Sequence, residues 1–337
     1  METQATSTRR TDILALAGGL VFSLAFTALI WWTGRYLAGI PHLPDEGASW
    51  YYWKLPAPTV WSRVTAWGLY LAHQISLWGL IYYAQTRVKK YTTGLHRVNV
   101  FALGVNALFL FLHLLQTQVW YDGLAQDVSI FTSQGSVIVM LVWILLMENS
   151  RRGLFFGKKA PIGQSIVQAA RKYHGYVFAW AAVYTFWYHP MENTWGHLIG
   201  FFYMFLLLLQ GSLFFTRVHM NRWWTVTLEV AVLVHGTIVA VLQGNNIWPM
   251  FAFGFGGIFV ITQMHGLGLS LRVRGGILAV YAALAVWVYS GRGWANLNEI
   301  IRIPVIEYLA VFVLALLIGA VLWIARRVRP AAVPETK

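Results

Sequence analysis

The chain contains no cysteine and few charged residues, and both scarcities narrow its chemistry. Without cysteine there is no disulfide, no thiolate metal site and no thiol nucleophile, so metal or haem chemistry has to use His, carboxylate, Met or Tyr. Charged residues make up 11% of the 337 residues and hydrophobic residues 58%, a balance that excludes an ordinary soluble domain. The composition therefore indicates an integral membrane protein.

Ten apolar runs are long enough to cross about 30 Å of hydrocarbon as α-helices. They predict an all-α, polytopic helical bundle that forms a single transmembrane domain over residues 1–337. The first run follows Arg9 and Arg10 and is too long for a signal peptide, so it is expected to remain as a helix. The predicted helices are at about 13–38, 62–86, 98–120, 127–149, 173–190, 194–216, 223–243, 248–270, 275–291 and 303–326.

The distribution of basic residues predicts the orientation of these helices. With the N-terminus inside, twenty of the 25 Lys and Arg residues fall in cytoplasmic segments and five in outer segments, as the positive-inside rule expects. Both termini are therefore expected in the cytoplasm, and the protein in the cytoplasmic or inner membrane of a prokaryote. Membrane orientation and contact with lipid also explain the net charge of +13, so no nucleic-acid partner is expected.

Two predicted connections are long enough to have structure of their own. The outer loop 39–61 is rich in Pro, Trp and Tyr, which is typical of a cap at the membrane interface. The cytoplasmic loop 149–172 is basic, and its part from Gln164 to Arg171 has helical spacing. That segment is expected to lie on the membrane surface against anionic lipid.

Histidine is the most informative residue type, because nine of the ten His residues lie in predicted helices or close to their ends. Ionisable groups are expensive in lipid and usually point into the bundle. Three helices each carry one His at the cytoplasmic start and a second 15 to 17 residues later, about 22 to 26 Å along the helix. The pairs are His96 and His113, His174 and His189, and His219 and His235.

This arrangement predicts two layers of imidazoles that hold b-type haems, one layer near each leaflet. His265 adds an inner ligand, while His197 lies towards the outer face and His73 near the middle. In general architecture the pattern resembles a dihaem membrane cytochrome, an analogy at the level of the fold. Helix geometry limits it, because only His174 and His189 come close to sharing one helix face, about 60° apart. The implied function is electron transfer from a quinol or another lipid-soluble donor, with possible partner subunits.

A second hypothesis uses the outer turn that contains Pro190. Pro190 should end one helix and Thr194 should begin the next, which brings His189, Glu192 and His197 together. Two imidazoles and a carboxylate suit Fe or Zn. The chain would then be a non-haem enzyme that modifies a lipid or isoprenoid.

Two carboxylates complete the candidate residues. Glu229 lies six residues before His235, and both are candidate catalytic groups, although six residues correspond to about 240° of helix rotation. A third hypothesis is accordingly a proton- or cation-coupled transporter that uses Glu229 and the His residues. Glu307 is expected near an outer helix end with access to solvent. The three hypotheses remain open at this point.

Overall fold

The chain is all-helical in the computed structural model, which describes residues 10–44, 53–244 and 246–328. These residues form ten α-helices, and none of them belongs to a strand. The helices are α1 Thr11–Thr33, α2 Val60–Arg87, α3 Arg97–Trp120, α4 Ile130–Arg152, α5 Gln164–Tyr188, α6 Trp195–Ser212, α7 Arg222–Leu242, α8 Trp248–Ile261, α9 Leu271–Arg292 and α10 Glu299–Val328.

Seven helical segments in the described residues are long and apolar enough to cross a membrane. They contain α1, α3, α4, α6, α7, α9 and α10. The helix α8 has only 14 residues, about 21 Å of rise, whereas α2 and α5 are long enough but less apolar. The protein is therefore a helical membrane protein.

Side-chain caps fix where several helices begin. The Thr59 hydroxyl accepts from the Ser62 amide at the start of α2, and the Thr194 hydroxyl accepts from the His197 amide at the start of α6. Asn221 and Ser270 cap α7 and α9 in the same way. Each cap satisfies a backbone donor that the first helical turn leaves without a partner.

The chain divides into two compact units. Unit 1 consists of Met1–Met140 and Gly175–Trp248. Its core is rich in aromatic side chains, including Phe26, Phe186, Trp187 and Phe201. Edge-to-face ring contacts join several of them, such as Phe26 with Phe205 at 5.5 Å, so packing in this core is both apolar and geometrically specific.

Unit 2 consists of Leu141–His174 and Pro249–Lys337. Its core combines aliphatic residues of α4, α8 and α10, among them Leu146, Ile258 and Val311. The helices α8 and α10 approach closely, because an added Cβ at Gly254 would lie 2.9 Å from Ile303. A small residue at such a crossing lets two backbones pack tightly in a membrane protein.

Two helix ends differ from the sequence expectation. The fifth helix begins at Gln164, so the segment expected on the membrane surface is continuous with it, and the connection after α4 spans 153–163. The eighth helix ends at Ile261, because the chain turns at Gln263–Gly266 while the Thr262 hydroxyl donates to the Leu154 carbonyl. Within the predicted outer loop, residues 45–52 lie outside the described residues, as do 1–9 and 329–337 at the termini.

Candidate functional site

Four of the predicted His residues come together in unit 1. His113 lies in α3, His189 directly follows α5, His197 is in the first turn of α6 and His235 is in α7. The rings of His189 and His197 have centroids 5.5 Å apart, and His113 Nε2 lies 2.9 Å from the His189 carbonyl. His235 is within electrostatic range of both His189 and His197. We call His113, His189, His197 and His235 the imidazole cluster.

Aromatic side chains line part of the imidazole cluster. The His113 ring lies 4.2 Å from Trp187 and 4.9 Å from Phe186, and both aromatic residues are fully buried. On the other side, the His197 ring is 5.0 Å from Trp53. These contacts give the two rings partly apolar surroundings.

Both ring nitrogens of His113 face hydrogen-bond partners. Nε2–H donates to the His189 carbonyl, and Nδ1 lies 3.2 Å from Gln116 Oε1. The bonding is complete for a neutral imidazole when the amide nitrogen of Gln116 faces Nδ1. His113 is therefore suited to hold the backbone at His189 in place rather than to ligate a metal itself.

His197 is arranged as metal-ligating imidazoles usually are. Its Nδ1 lies 2.8 Å from the Thr194 hydroxyl, the same group that caps α6. When Nδ1–H donates to that oxygen, Nε2 carries the lone pair of the ring. A second-shell acceptor of this kind fixes the tautomer and the orientation of a ligand imidazole.

His235 packs directly against Gly200 of α6. An added Cβ at Gly200 would lie 3.2 Å from His235 Cε1, so only glycine leaves full room for the ring. The Nδ1 atom of His235 is buried and has no hydrogen-bond partner among the described residues. His197 and Gly200 are three residues apart on α6 and share a helix face, so His197 and His235 face the same space.

The other candidate catalytic residue, Glu229, is buried on α7 with 7% of its surface exposed. It lies within electrostatic range of Tyr203, whose ring centroid is 6.2 Å from that of His235. Tyr203 itself donates to the Leu228 carbonyl. Glu229 and His235 are thus both near Tyr203, although they occupy different faces of α7.

The third member of the predicted metal triad, Glu192, belongs to a different hydrogen-bonded chain. Its Oε1 accepts from the Tyr121 hydroxyl at 2.6 Å, and His42 Nε2 lies 2.6 Å from the same hydroxyl. Burial lowers the pKa of His42, although the Glu192 charge opposes that shift. Within the described part of the chain, no group of three His, Asp or Glu side chains is arranged to hold a metal ion.

The remaining predicted ligands lie outside the imidazole cluster. In unit 1, His96 Nε2 contacts the Thr92 hydroxyl and His219 Nδ1 contacts the Gln210 carbonyl. In unit 2, His174 Nδ1 contacts the Arg171 carbonyl. His265 is held between the Val260 carbonyl and the Arg274 guanidinium, 3.2 and 3.0 Å away. His219 and His265 join neighbouring elements, whereas the His174 bond lies within α5.

One buried histidine, His73 of α2, was not among the predicted ligands. Trp187 Nε1–H donates to His73 Nδ1, so Nε2–H donates to Asn106 Oδ1 at 2.8 Å. The Asn106 amide then donates to the Ser212 hydroxyl, which donates to the Leu208 carbonyl. Every nitrogen of His73 has a partner, so this chain is a structural link between helices.

The imidazole cluster contains residue types that two kinds of metal centre use. Haem needs one or two imidazoles and an apolar surround with small residues, and His197, His235, Gly200 and Trp187 are residues of these kinds. A closed site for Zn or Fe needs three or four ligands around one point, an arrangement not found in the described residues. No protein-family model, no curated protein and no solved structure matches this chain.

Proposed function

We propose that the chain is a membrane-embedded b-type haem protein that transfers electrons, and that His197 and His235 are the residues that would hold the haem. One observation carries this proposal: His235 lies within electrostatic range of His197 and packs against Gly200 on the same face of α6, while His197 Nδ1 lies 2.8 Å from the Thr194 hydroxyl. A bound haem supplies one-electron redox chemistry. The pairing of the inner and outer His residues into two haem layers is not part of the proposal, because His96 and His219 lie apart from the imidazole cluster.

The protein side chains have separate tasks in this proposal. His197 and His235 bind, and the Thr194 hydroxyl orients the His197 ring. Phe186 and Trp187 exclude water, which favours a stable redox centre. His113 acts as a positioning residue through the His189 carbonyl.

The hydrogen-bonded chain from His42 through Tyr121 to Glu192 supports a role in proton movement beside the cofactor. Its two links are both 2.6 Å long, and Glu192 is 5% exposed. Electron transfer from a quinol releases protons, and a carboxylate bonded to a phenol that is itself bonded to an imidazole is able to accept and pass them. A quinol or another lipid-soluble molecule is therefore the proposed donor, and a partner subunit is the proposed acceptor.

We also propose ten membrane crossings with both termini in the cytoplasm, in the inner membrane of a prokaryote. The alternation of basic residues supports this arrangement. It requires α2, α5 and the short α8 to cross together with the seven more apolar segments.

The first experiment is a dithionite-reduced minus oxidised absorption spectrum of the detergent-purified full chain, expressed with an ample haem supply. We expect haem absorption bands at about one haem per chain, lost in His197→Ala and His235→Ala. His219→Ala and His265→Ala are matched controls that remove a histidine outside the imidazole cluster and should keep the bands. Size-exclusion chromatography of each variant separates loss of haem from loss of folding.

Elemental analysis of the same sample separates the alternatives. A colourless protein that contains stoichiometric Fe or Zn would overturn the haem proposal in favour of the non-haem metal enzyme. A colourless protein without metal would overturn it in favour of the transporter.

A further inference from the structure

The carboxyl group of Glu307 faces the interior of unit 2. Only 2% of the residue is exposed, so the expected access to solvent is wrong. Glu307 lies on the buried face of α10 together with Pro304, Tyr308, Val311 and Ala315, a spacing of three and four residues that defines one helix face. The neighbouring positions 305, 306 and 309 carry large apolar side chains that are about half exposed or more.

This buried carboxyl group has no counter-ion in the described residues. Its Oε2 atom is buried without a hydrogen-bond partner there, and none of the ion pairs in that part of the chain involves it. An ionised carboxylate that is buried and unpaired is strongly disfavoured. Glu307 is therefore held as the neutral acid.

Glu299, eight residues earlier on the same helix, shows the opposite arrangement. Both of its oxygens accept hydrogen bonds from the Arg292 guanidinium at 2.8 Å, and Tyr289 donates a third bond at 3.2 Å. Glu299 is thus compensated as an anion. The two glutamates of α10 have the same chemistry and contrasting surroundings.

The elements around Glu307 contribute hydroxyl groups and one cation. The helix α8 has no ionisable residue, and its Gly257 packs near Pro304 and the Tyr281 hydroxyl of α9. Tyr308 directly follows Glu307 in α10, and its hydroxyl lies 2.8 Å from the Thr262 hydroxyl. Arg152 of α4 is within electrostatic range of Tyr308.

We propose that Glu307 is a proton-binding site within the membrane, and that its carboxyl group takes up and releases a proton. Ionisable residues inside membrane segments commonly mark proton or ion pathways. A single carboxyl group whose surroundings add hydroxyl groups and one arginine provides too few anionic ligands for a metal cation. This site belongs to unit 2 and does not depend on the haem proposal for unit 1.

The test uses dicyclohexylcarbodiimide, an apolar reagent, on the full chain in liposomes. A protonated carboxyl oxygen bonds to the carbodiimide carbon and its proton moves to a carbodiimide nitrogen, so only the neutral acid reacts. Peptide mapping by mass spectrometry should place the adduct on Glu307 and not on Glu299. Glu307→Gln should remove that adduct and leave folding intact, while Glu299→Gln is the matched control and should still be labelled at Glu307.

Infrared difference spectroscopy over a pH series provides a second measurement that needs no reagent. We expect a protonated-carboxyl C=O band that shifts in deuterated buffer and is absent from Glu307→Gln. Absence of both the adduct and this band in the folded protein would overturn the proposal. Protection of Glu307 from the reagent by sodium ions at constant pH would also overturn it, in favour of a cation site.

Discussion

The ring of His113 donates a hydrogen bond to the backbone carbonyl of His189 across a sequence separation of 76 residues. This bond ties the middle of α3 to the chain just beyond α5, at the residue before Pro190. The His189 ring centroid lies 5.5 Å from that of His197, so the bond also helps to position the imidazole cluster. A contact made by the backbone of one cluster member thus positions the side chains of others.

Replacing His113 by Phe tests this positioning role. Phe keeps the aromatic contact with Trp187 but removes the donor to His189, and a buried carbonyl without a partner costs about 1–3 kcal/mol. We expect a lower midpoint of thermal unfolding and partial loss of haem. His96→Phe, which changes a histidine outside the imidazole cluster, is the control. Equal haem content in wild-type protein and His113→Phe would contradict the positioning role.

Substitution of Gly200 tests whether the His235 ring has a required place. An Ala methyl group at this position would lie 3.2 Å from His235 Cε1, and overpacking of this kind costs about 1–3 kcal/mol. We expect Gly200→Ala to reduce the haem content and the thermal stability together. Gly211→Ala on the same helix adds a methyl group with no atom within 4 Å and should change neither. Equal haem content and equal thermal stability of the two variants would refute the proposed packing of His235 against Gly200.

The hydrogen-bonded chain from Trp187 through His73 to Asn106 and Ser212 predicts that Asn106→Ala lowers the stability of the protein more than Ser76→Ala does. Asn106→Ala leaves His73 Nε2–H and the Ser212 hydroxyl without their shared partner, so we expect a loss of about 1–3 kcal/mol. Ser76→Ala removes an exposed hydroxyl bonded to its own helix and should be nearly neutral. Chemical unfolding of both variants, followed by tryptophan fluorescence, measures the difference. Equal stability of the two variants would show that the hydrogen-bonded chain does not hold the helices together.

The sequence predicted helices well because apolar runs and basic connections are local signals. It predicted the end of α8 poorly, because the apolar run continues to Leu269 while the helix stops at Ile261. The stop depends on Thr262, whose hydroxyl contacts the Leu154 carbonyl and Tyr308. Such partners are distant in sequence, so no hydropathy pattern reveals them.

The candidate residues show the same division between local and distant information. The turn at Pro190 predicted an approach of His189 and His197, whose rings lie 5.5 Å apart. The burial of Glu307 was missed, because lipid and protein interior are both apolar and the sequence does not show which face of α10 is covered. The spacing of Pro304, Glu307 and Val311 was the available signal.

The ion pairs of Arg63 predict a change in stability at acid pH. Burial alone would raise the pKa of Asp127, but hydrogen bonds from Arg63 and Trp67 outweigh it and hold the pKa below its ordinary value of 3.8. The resulting stability is present above pH 3.8 and is lost as the pH falls through the lowered value. Burial raises the pKa of Asp122, despite the bonds from Arg63, so Asp122 acts in the opposite direction.

Asp127→Asn should therefore remove the loss of stability below about pH 4 and leave the opposite trend from Asp122. The effect is small, below about 1 kcal/mol, because nearly half of the Asp127 side chain is exposed. Thermal unfolding at a series of pH values, with Asp122→Asn as the second variant, measures both slopes. Parallel pH curves for wild-type protein and Asp127→Asn would contradict this account.

The absence of cysteine makes the chain suitable for a direct test of whether α8 crosses the membrane. Its 14 residues span about 21 Å, less than the hydrocarbon thickness of about 30 Å, so a crossing requires flanking residues or local thinning of the bilayer. Single cysteines at Gln243 and Leu271 flank α8, and Lys159→Cys marks the predicted cytoplasmic side. All three positions are exposed.

A membrane-impermeant maleimide applied to intact spheroplasts should label Gln243→Cys but neither Leu271→Cys nor Lys159→Cys. Inside-out vesicles should reverse this pattern, because the reagent then meets the cytoplasmic face. Labelling of Gln243→Cys and Leu271→Cys from the same side would mean that α8 does not cross. The positive-inside pattern would then fail after α8, because each later connection would exchange sides and the basic residues near Arg272 would face outward.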